Sequence, residues 1–160
     1  MTEQRIYTCL WFDSDAEAAA NLYVALFPGA RVTHVTRYGA GAPLPEGTAL
    51  VIQLDLGGTR LMLLNGGPVF RQSEAASIVV ECATQGEIDR LWGALTADGG
   101  APGRCGWLKD RFGVSWQIVP ARIGVWMTSA DAAARGRVMA AIMGMDKLDL
   151  AVLEAAFAGS

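Results

Sequence analysis

Two stretches of the sequence decide the fold: Cys9–Ala30 (CLWFDSDAEAAANLYVALFPGA) and Ser77–Ala101 (SIVVECATQGEIDRLWGALTADGGA). Each begins as an apolar strand, continues with a hydroxyl residue followed three positions later by glutamate, and then shows apolar residues at helical spacing. The two pairs are Ser14 with Glu17 and Thr84 with Glu87. Such a pair is the signature of a capping box, in which hydroxyl and carboxylate accept from free backbone N–H groups. The recurrence of this design predicts an internal repeat.

Strand patterns follow each predicted helix, with β-branched residues alternating with polar ones between Gly-rich turns. They are ARVTHVTRYG, TALVIQLDLGG and TRLMLLNGG in the first half, and a segment near 101–104, GWLKD and GVSWQIVP in the second. The order βαβββ therefore occurs twice. We predict an α+β fold with paired βαβββ modules at about 1–68 and 75–127, together forming one domain over 1–127.

Residues 128–160 predict two amphipathic helices as a C-terminal extension. Val138, Met139, Ile142 and Met143 form one apolar face, and Leu150, Leu153 and Phe157 form the other. The favoured interpretation is that these helices cover an open face or edge of a sheet. The alternative is a dimer contact or a lid.

Composition excludes several classes of protein. The chain has 160 residues and a net charge of −3, with no basic stripe, so we expect no nucleic-acid partner. Its start has no signal-peptide pattern, and no apolar run is long enough for a membrane helix, so we expect no membrane partner. Three widely spaced cysteines argue against a disulfide framework. These features predict a soluble, cytoplasmic protein.

Three segments, YTCLWFDSDAEAAANLY, LMLLNGGP and CGWLKDRFGVSWQIVP, resemble the PhnB-like, 3-demethylubiquinone-9 3-methyltransferase-like branch of the vicinal oxygen chelate superfamily, which includes glyoxalases and bleomycin-resistance proteins. The resemblance implies curled mixed sheets that form a cup, commonly in a homodimer. It does not imply methyl transfer. A Rossmann-type methyltransferase needs a glycine-rich turn between a strand and a helix, and neither GAGAP nor LGGTR has that position.

By the same resemblance, the four positions that hold a divalent metal in other superfamily members fall near Thr8, Asn65, Ser77 and Gln117. None is His, Glu or Asp, and hydroxyls and carboxamides are weak ligands for transition metals. The only histidine, His34, does not match a ligand position. We therefore expect no metal and no cofactor.

The same four residues suit a neutral cup that binds a small molecule through hydrogen bonds. Trp11 and Trp107 are candidates to stack on a flat ligand, with ordinary core packing as the alternative. Alternation in GVSWQIVP places Ser115, Gln117 and Val119 on one face and Trp116 on the other, under a helix.

Cys105 is the candidate catalytic residue because it lies between Arg104 and Lys109, where cations lower a thiol pKa. The alternative is a structural or merely accessible thiol. The charged run from Lys109 to Arg111 either binds an anionic group or forms a hairpin turn.

Two functions remain from this sequence. The first is a metal-free protein that binds a small molecule. The second is a metal-free or weakly metal-dependent enzyme with lyase- or isomerase-type chemistry on a carbonyl substrate, using either Cys105 or the polar groups of the cup. Binding is favoured because the cup lacks titratable groups.

Overall fold

The first half of the predicted repeat forms a four-stranded mixed sheet with one helix. A computed structural model describes residues 5–160 and divides them into two compact units, of which the first ends at Gln72 and the second spans Ser73–Ser160. The elements of the first unit are β1 (Thr8–Phe12), α1 (Ala16–Leu26), β2 (Arg31–Arg37), β3 (Ala49–Asp55) and β4 (Arg60–Asn65). The strand order is β1-β4-β3-β2, with β1 parallel to β4 and the other pairs antiparallel.

Helix α1 buries Ala16, Ala19, Ala20, Tyr23 and Leu26, as the apolar spacing predicted. Phe27, predicted on the same stripe, follows the helix and is only partly buried. Its predicted capping box is wrong. The helix starts after Asp15, which makes no side-chain cap bond, and Glu17 instead bonds Arg37 on β2. The free N–H of Ala16 donates to the side-chain oxygen of Asn65 at 2.9 Å, so a residue of β4 caps this helix.

The second half repeats the βαβββ order. Its elements are β5 (Ile78–Cys82), α2 (Gln85–Thr96), β6 (Ala101–Pro102), β7 (Trp107–Lys109) and β8 (Ser115–Pro120). The strand order β5-β8-β7-β6 corresponds to that of the first sheet, with β5 parallel to β8. The α+β class and the paired βαβββ modules are thus confirmed.

The predicted capping box of α2 is confirmed. The Thr84 hydroxyl accepts from the N–H of Glu87 at 3.2 Å, and the Glu87 carboxylate accepts from the N–H of Ala83 at 2.9 Å. The helix then buries Ile88, Leu91 and Leu95.

Three helices follow β8: α3 (Ile123–Met127), α4 (Ala132–Met143) and α5 (Leu150–Ala158). The last two are the helices predicted within 128–160, and α3 is additional. Helix α3 has only five residues, which is too short to show an apolar period in the sequence. The predicted face of α4 is half right, because Val138 and Ile142 are buried whereas Met139 and Met143 are exposed.

The three helices share a hydrophobic cluster with β8, which consists of Val119, Trp126, Val138, Ile142, Leu148 and Leu153. The extension therefore packs on a strand of the second unit, as the covering interpretation expected. That both modules form one domain with a single cup stays a prediction. Across residues 5–160, no helix combines the length and apolarity needed to cross a bilayer.

Candidate functional site

Each sheet has one face that carries its helix, and we call the opposite face the open face. On the second sheet, strand alternation and pairing place Gln117 beside its Cα partners Val79 and Trp107. Ser115 and its partner Lys109 form the next row of the same face. The second open face is therefore defined by Ser77, Val79, Trp107, Lys109, Ser115 and Gln117.

A hydrogen-bonded pair of polar side chains lies on this face. The Gln117 amide nitrogen donates to the Ser77 hydroxyl oxygen at 2.9 Å. Trp116 lies on the other face, fully buried, and its indole N–H donates to a carboxylate oxygen of Asp110 at 2.9 Å. The structure thus brings Ser77, Gln117 and Trp107 together and confirms the predicted alternation along β8. Val79, next to Gln117, is 54% exposed, so this part of the face is accessible, whereas Val119 on the same face of β8 is buried against α3, α4 and α5.

Ser115 was predicted on the face of Gln117 but was missed as a candidate ligand contact, whereas Lys109 was considered only as part of a charged run that binds an anion or forms a turn. The Ser115 hydroxyl is buried, and among residues 5–160 it has no hydrogen-bond partner. Lys109 forms an ion pair with Glu74 at 2.5 Å, and this bond holds the pKa of the Glu74 carboxyl below its ordinary value. The alternation in GVSWQIVP was the available signal for Ser115, whereas the contact with Glu74 depends on the tertiary fold.

The first open face is apolar along β1 and the last part of β4, whereas the neighbouring strand β3 brings Gln53 and Asp55 to the same face. By alternation it carries Cys9 and Trp11 from β1 and their partners Met62 and Leu64 from β4. Alignment of the two parallel strand pairs makes Tyr7 and Met62 the counterparts of Ser77 and Gln117. The positions assigned by resemblance to the first module, Thr8 and Asn65, are therefore out of register.

Asn65 lies on the helix side of the first sheet and does not line the open face. It is fully buried, and its amide accepts from the N–H of Ala16 and donates to the carbonyl of Ala49 at 2.8 Å. Thr8 shares that side by alternation with Phe12, the Cα partner of Asn65. Both residues therefore face α1, whereas the ligand contacts were predicted on the other side of the sheet.

Trp11 is on the open face, but its own unit already contacts it. Its indole N–H donates to the Gly67 carbonyl at 2.9 Å, and its ring meets Phe70 edge-on at 5.0 Å between centroids. A Cβ on Gly66 would lie 2.2 Å from the indole ring, so glycine is required there. The segment after β4 is thus a turn that packs closely on Trp11.

Cys105 lacks the surroundings that a catalytic thiolate needs. Its sulfur lies 3.6 Å from the Met143 sulfur, and Arg104 donates to the Met143 carbonyl. Lys109 is bonded to Glu74, so both nearby cations have other partners. The geometry favours the alternative of a structural or accessible thiol. Burial, chiefly, raises the pKa of Cys82 to about 11, and this thiol belongs to the core.

Comparisons with known proteins agree with this architecture. Residues 4–119 match the model of a family described as 3-demethylubiquinone-9 3-methyltransferase. The chain belongs to this family. It is 33% identical to the PhnB protein of Bacillus cereus, with 74% of this chain and 100% of that chain covered and a TM-score of 0.69. No curated protein matches.

Two other solved structures share the fold. A Pseudomonas aeruginosa protein is 22% identical, covering 74% of this chain and 98% of its own, with a TM-score of 0.60. The fosfomycin resistance protein FosX of Listeria monocytogenes, in a complex with Mn(II), is 11% identical. The match covers 78% of this chain and 98% of the FosX chain, with a TM-score of 0.54. The PhnB-like resemblance and the glyoxalase/vicinal oxygen chelate fold are therefore confirmed.

The family name is the sole support for methyl transfer. Among the described residues, three turns join a strand to a helix, at 13–15, 83–84 and 121–122, and none contains glycine. A nucleotide-type cofactor of the Rossmann kind needs glycine there so that its phosphates can approach the backbone.

The residues on the open faces do not fit the divalent metal of metal-dependent superfamily members. Ser77 and Gln117 bond each other, and their counterparts Tyr7 and Met62 carry no carboxylate or imidazole. Within residues 5–160, no group of three His, Cys, Asp or Glu side chains is placed to hold an ion. Neutral oxygen ligands and a thioether are a poor set for Mn, Fe, Ni or Zn.

Proposed function

We propose that the protein binds a small organic molecule on the second open face, without a metal. The observation that carries this proposal is the 2.9 Å bond between Gln117 and Ser77, two neutral side chains fixed beside apolar surface. The pair orients one donor and one acceptor in a defined direction. The fixed polar groups supply specificity, and burial of apolar surface supplies most of the affinity.

Trp107 and Val79 supply the apolar part of this site. Both are direct cross-strand partners of Gln117, so their side chains lie within about 5 Å of it. A flat molecule that stacks on the Trp107 indole would therefore reach the carboxamide of Gln117 with a polar substituent. Catalysis is not part of the proposal, since the Cys105 thiol contacts the thioether of Met143, which cannot act as a base.

The proposal places the protein in the cytoplasm as a homodimer. All three cysteines are free, which suits a reducing compartment. The dimer rests on the family resemblance and is checked by light scattering of the purified protein.

A ligand panel tests the proposed function. Small carbonyl, aromatic and amphipathic compounds are screened by thermal shift on metal-free protein, and hits are quantified by calorimetry. We expect Gln117→Leu and Ser77→Ala to weaken the best hit about tenfold, since each removes a partner from a partly buried hydrogen bond.

Ser73→Ala is the matched control because Ser73 is an exposed hydroxyl in the segment before the same strand. It should bind as the wild type does. Equal affinity of all three variants would place binding elsewhere. A stoichiometric transition metal in elemental analysis would overturn the metal-free mode.

A further inference from the structure

The hairpin between β7 and β8 holds two cations in different surroundings. Arg111 lies in the turn and pairs at 2.6 Å with Asp98, which follows α2. Lys109 lies on the second open face, directly opposite Ser115. Of these two cations, only Lys109 can therefore contact a molecule bound to that face. Arg111 stabilises the turn, whereas Lys109 is placed to bind an anion.

Ser115 adds a buried hydroxyl that lacks a hydrogen-bond partner. It is only 2% exposed, and no residue of the described chain accepts or donates a hydrogen bond at its hydroxyl. A buried hydroxyl without a hydrogen bond lowers stability. Its position opposite Lys109 and next but one to Gln117 on β8 places it on the face of the proposed binding site, where a ligand reaches the hydroxyl only when the side chains that cover it move.

Glu74 shows that a carboxylate binds beside Lys109. Its carboxylate contacts the Lys109 ammonium at 2.5 Å, yet its own side chain is 64% exposed. Glu74 lies in the segment before β5, outside any helix or strand, so its backbone is held less firmly than the strand residues around it. The Glu74 carboxylate thus already occupies the place beside Lys109, and this exposed side chain is able to move away from the ammonium group.

We propose that Lys109 and Ser115 bind the carboxylate of a small organic acid, and that Glu74 holds this place until the acid displaces it. One carboxylate oxygen would accept from the Lys109 ammonium and the other from the Ser115 hydroxyl. This inference rests on the proposed function and names the class of its ligand.

A single ammonium group matches a single negative charge. A phosphate or phosphonate dianion would require a second cation, and the nearest one along the hairpin, Arg111, is paired with Asp98. The aromatic or apolar body of the acid would lie on the next row of the face, against Trp107 and Val79. The inferred ligand is therefore a monocarboxylate with a flat apolar body.

Benzoate is the probe, with benzamide as its neutral analogue and phenylphosphonate as the dianion. Affinities are measured by calorimetry, and the contacted residues by amide chemical-shift changes. We expect benzoate to bind the wild type more tightly than benzamide or phenylphosphonate does. Glu74→Gln should tighten benzoate binding about fivefold, since removal of a competing exposed ion pair is a modest effect.

Lys109→Met should weaken benzoate binding about tenfold or more, and Ser115→Ala about fivefold. Two matched controls come from the second ion pair of the same hairpin. Arg111→Met and Asp98→Asn remove the same charges on the other side and should bind benzoate within about twofold of the wild type.

The results separate this inference from the proposed function. A neutral ligand that depends on Gln117 and Ser77, together with no effect of Glu74→Gln and Lys109→Met on benzoate, overturns the carboxylate site and leaves the proposed function standing. Loss of binding for every compound in the panel overturns both. Benzoate binding that is equal in Arg111→Met and Lys109→Met shows general charge attraction and also overturns the site.

Discussion

The two modules cap their helices in different ways although they share one topology. In the second, Thr84 and Glu87 bond the backbone within the first turn of α2. In the first, the cap of α1 comes from Asn65, a residue 49 positions away on β4. One helix start is thus specified locally and the other only after the sheet has formed. The same fold is compatible with either solution because both satisfy the free N–H groups of a helix start.

The hairpins that lead into the last strand of each module also differ in how an aspartate holds the turn. In the first, the Asp55 carboxylate accepts from the N–H of Gly58 at 2.7 Å and pairs with Arg31 near the surface. In the second, buried Asp110 accepts from the N–H groups of Phe112 and Val114 and from the Trp116 indole.

The open faces also differ. The Cα partners Gln53 and Met62 of the first lie at the positions of Trp107 and Gln117 in the second, so the carboxamide is on β3 in one sheet and on β8 in the other. The two faces therefore present different chemistry to a ligand at equivalent positions. The lesson is that a duplicated fold keeps its hydrophobic pattern while polar groups take on separate roles in structure and recognition.

The hairpin comparison predicts the largest effect. Asp110→Ala removes three hydrogen bonds from groups at a buried site, and we expect it to lower the free energy of unfolding by about 4 kcal/mol. Asp55→Ala, its counterpart, removes one exposed bond and one surface ion pair and should lower it by about 1 kcal/mol. Urea denaturation followed by tryptophan fluorescence measures both. Equal losses would show that burial of Asp110 does not distinguish the hairpins.

The helix caps predict the next effect. Asn65→Ala leaves the N–H of Ala16 and the carbonyl of Ala49 without partners inside the core, and we expect a loss of about 3 kcal/mol. Thr84→Ala in the second module should cost about 1 kcal/mol, as usual for loss of an exposed cap. Thermal unfolding gives both values. A smaller loss for Asn65→Ala than for Thr84→Ala would contradict the tertiary cap.

Local signals in the sequence predicted most of the fold. The period of the strands, the apolar stripes of α1 and α2 and the capping box at Thr84 all depend on neighbours within a few residues. The alternation along β8 likewise assigned Trp116 and Gln117 to opposite faces, because a strand has only two faces. These features needed no knowledge of the tertiary structure.

The errors arose where a distant residue supplies a bond. Ser14 and Glu17 have the spacing of a capping box, but Asn65 caps the helix and Arg37 takes the glutamate. Asn65 was then assigned to a ligand position although the helix uses its amide. A shift of one residue in register moves a side chain to the other face of a sheet, so the resemblance could not place Thr8 and Asn65 correctly. The contact of Glu74 with Lys109 has no local signal.

The smallest effect concerns the two glutamates that follow the predicted caps. The bond from Arg37 holds the pKa of the Glu17 carboxyl below its ordinary value of 4.5. Because the pKa is lower in the folded state, this ion pair stabilises the fold above the ordinary value, and its contribution is lost as the pH falls through the lowered pKa. Glu17→Gln should lower the unfolding midpoint by about 1 °C at pH 7, and less in high salt.

Glu87→Gln is the matched control, since its amide oxygen still accepts from the N–H of Ala83. We expect a change in the unfolding midpoint that does not depend on salt. Melting curves at pH 7 and pH 3 compare the two variants, each without added salt and in about 1 M NaCl, a concentration that screens most surface ion pairs. If Glu17→Gln loses as much stability in high salt as in low salt, Glu17 acts through a cap bond after all. The two modules would then use the same local device, and the contrast between their helix starts would rest on Asn65 alone.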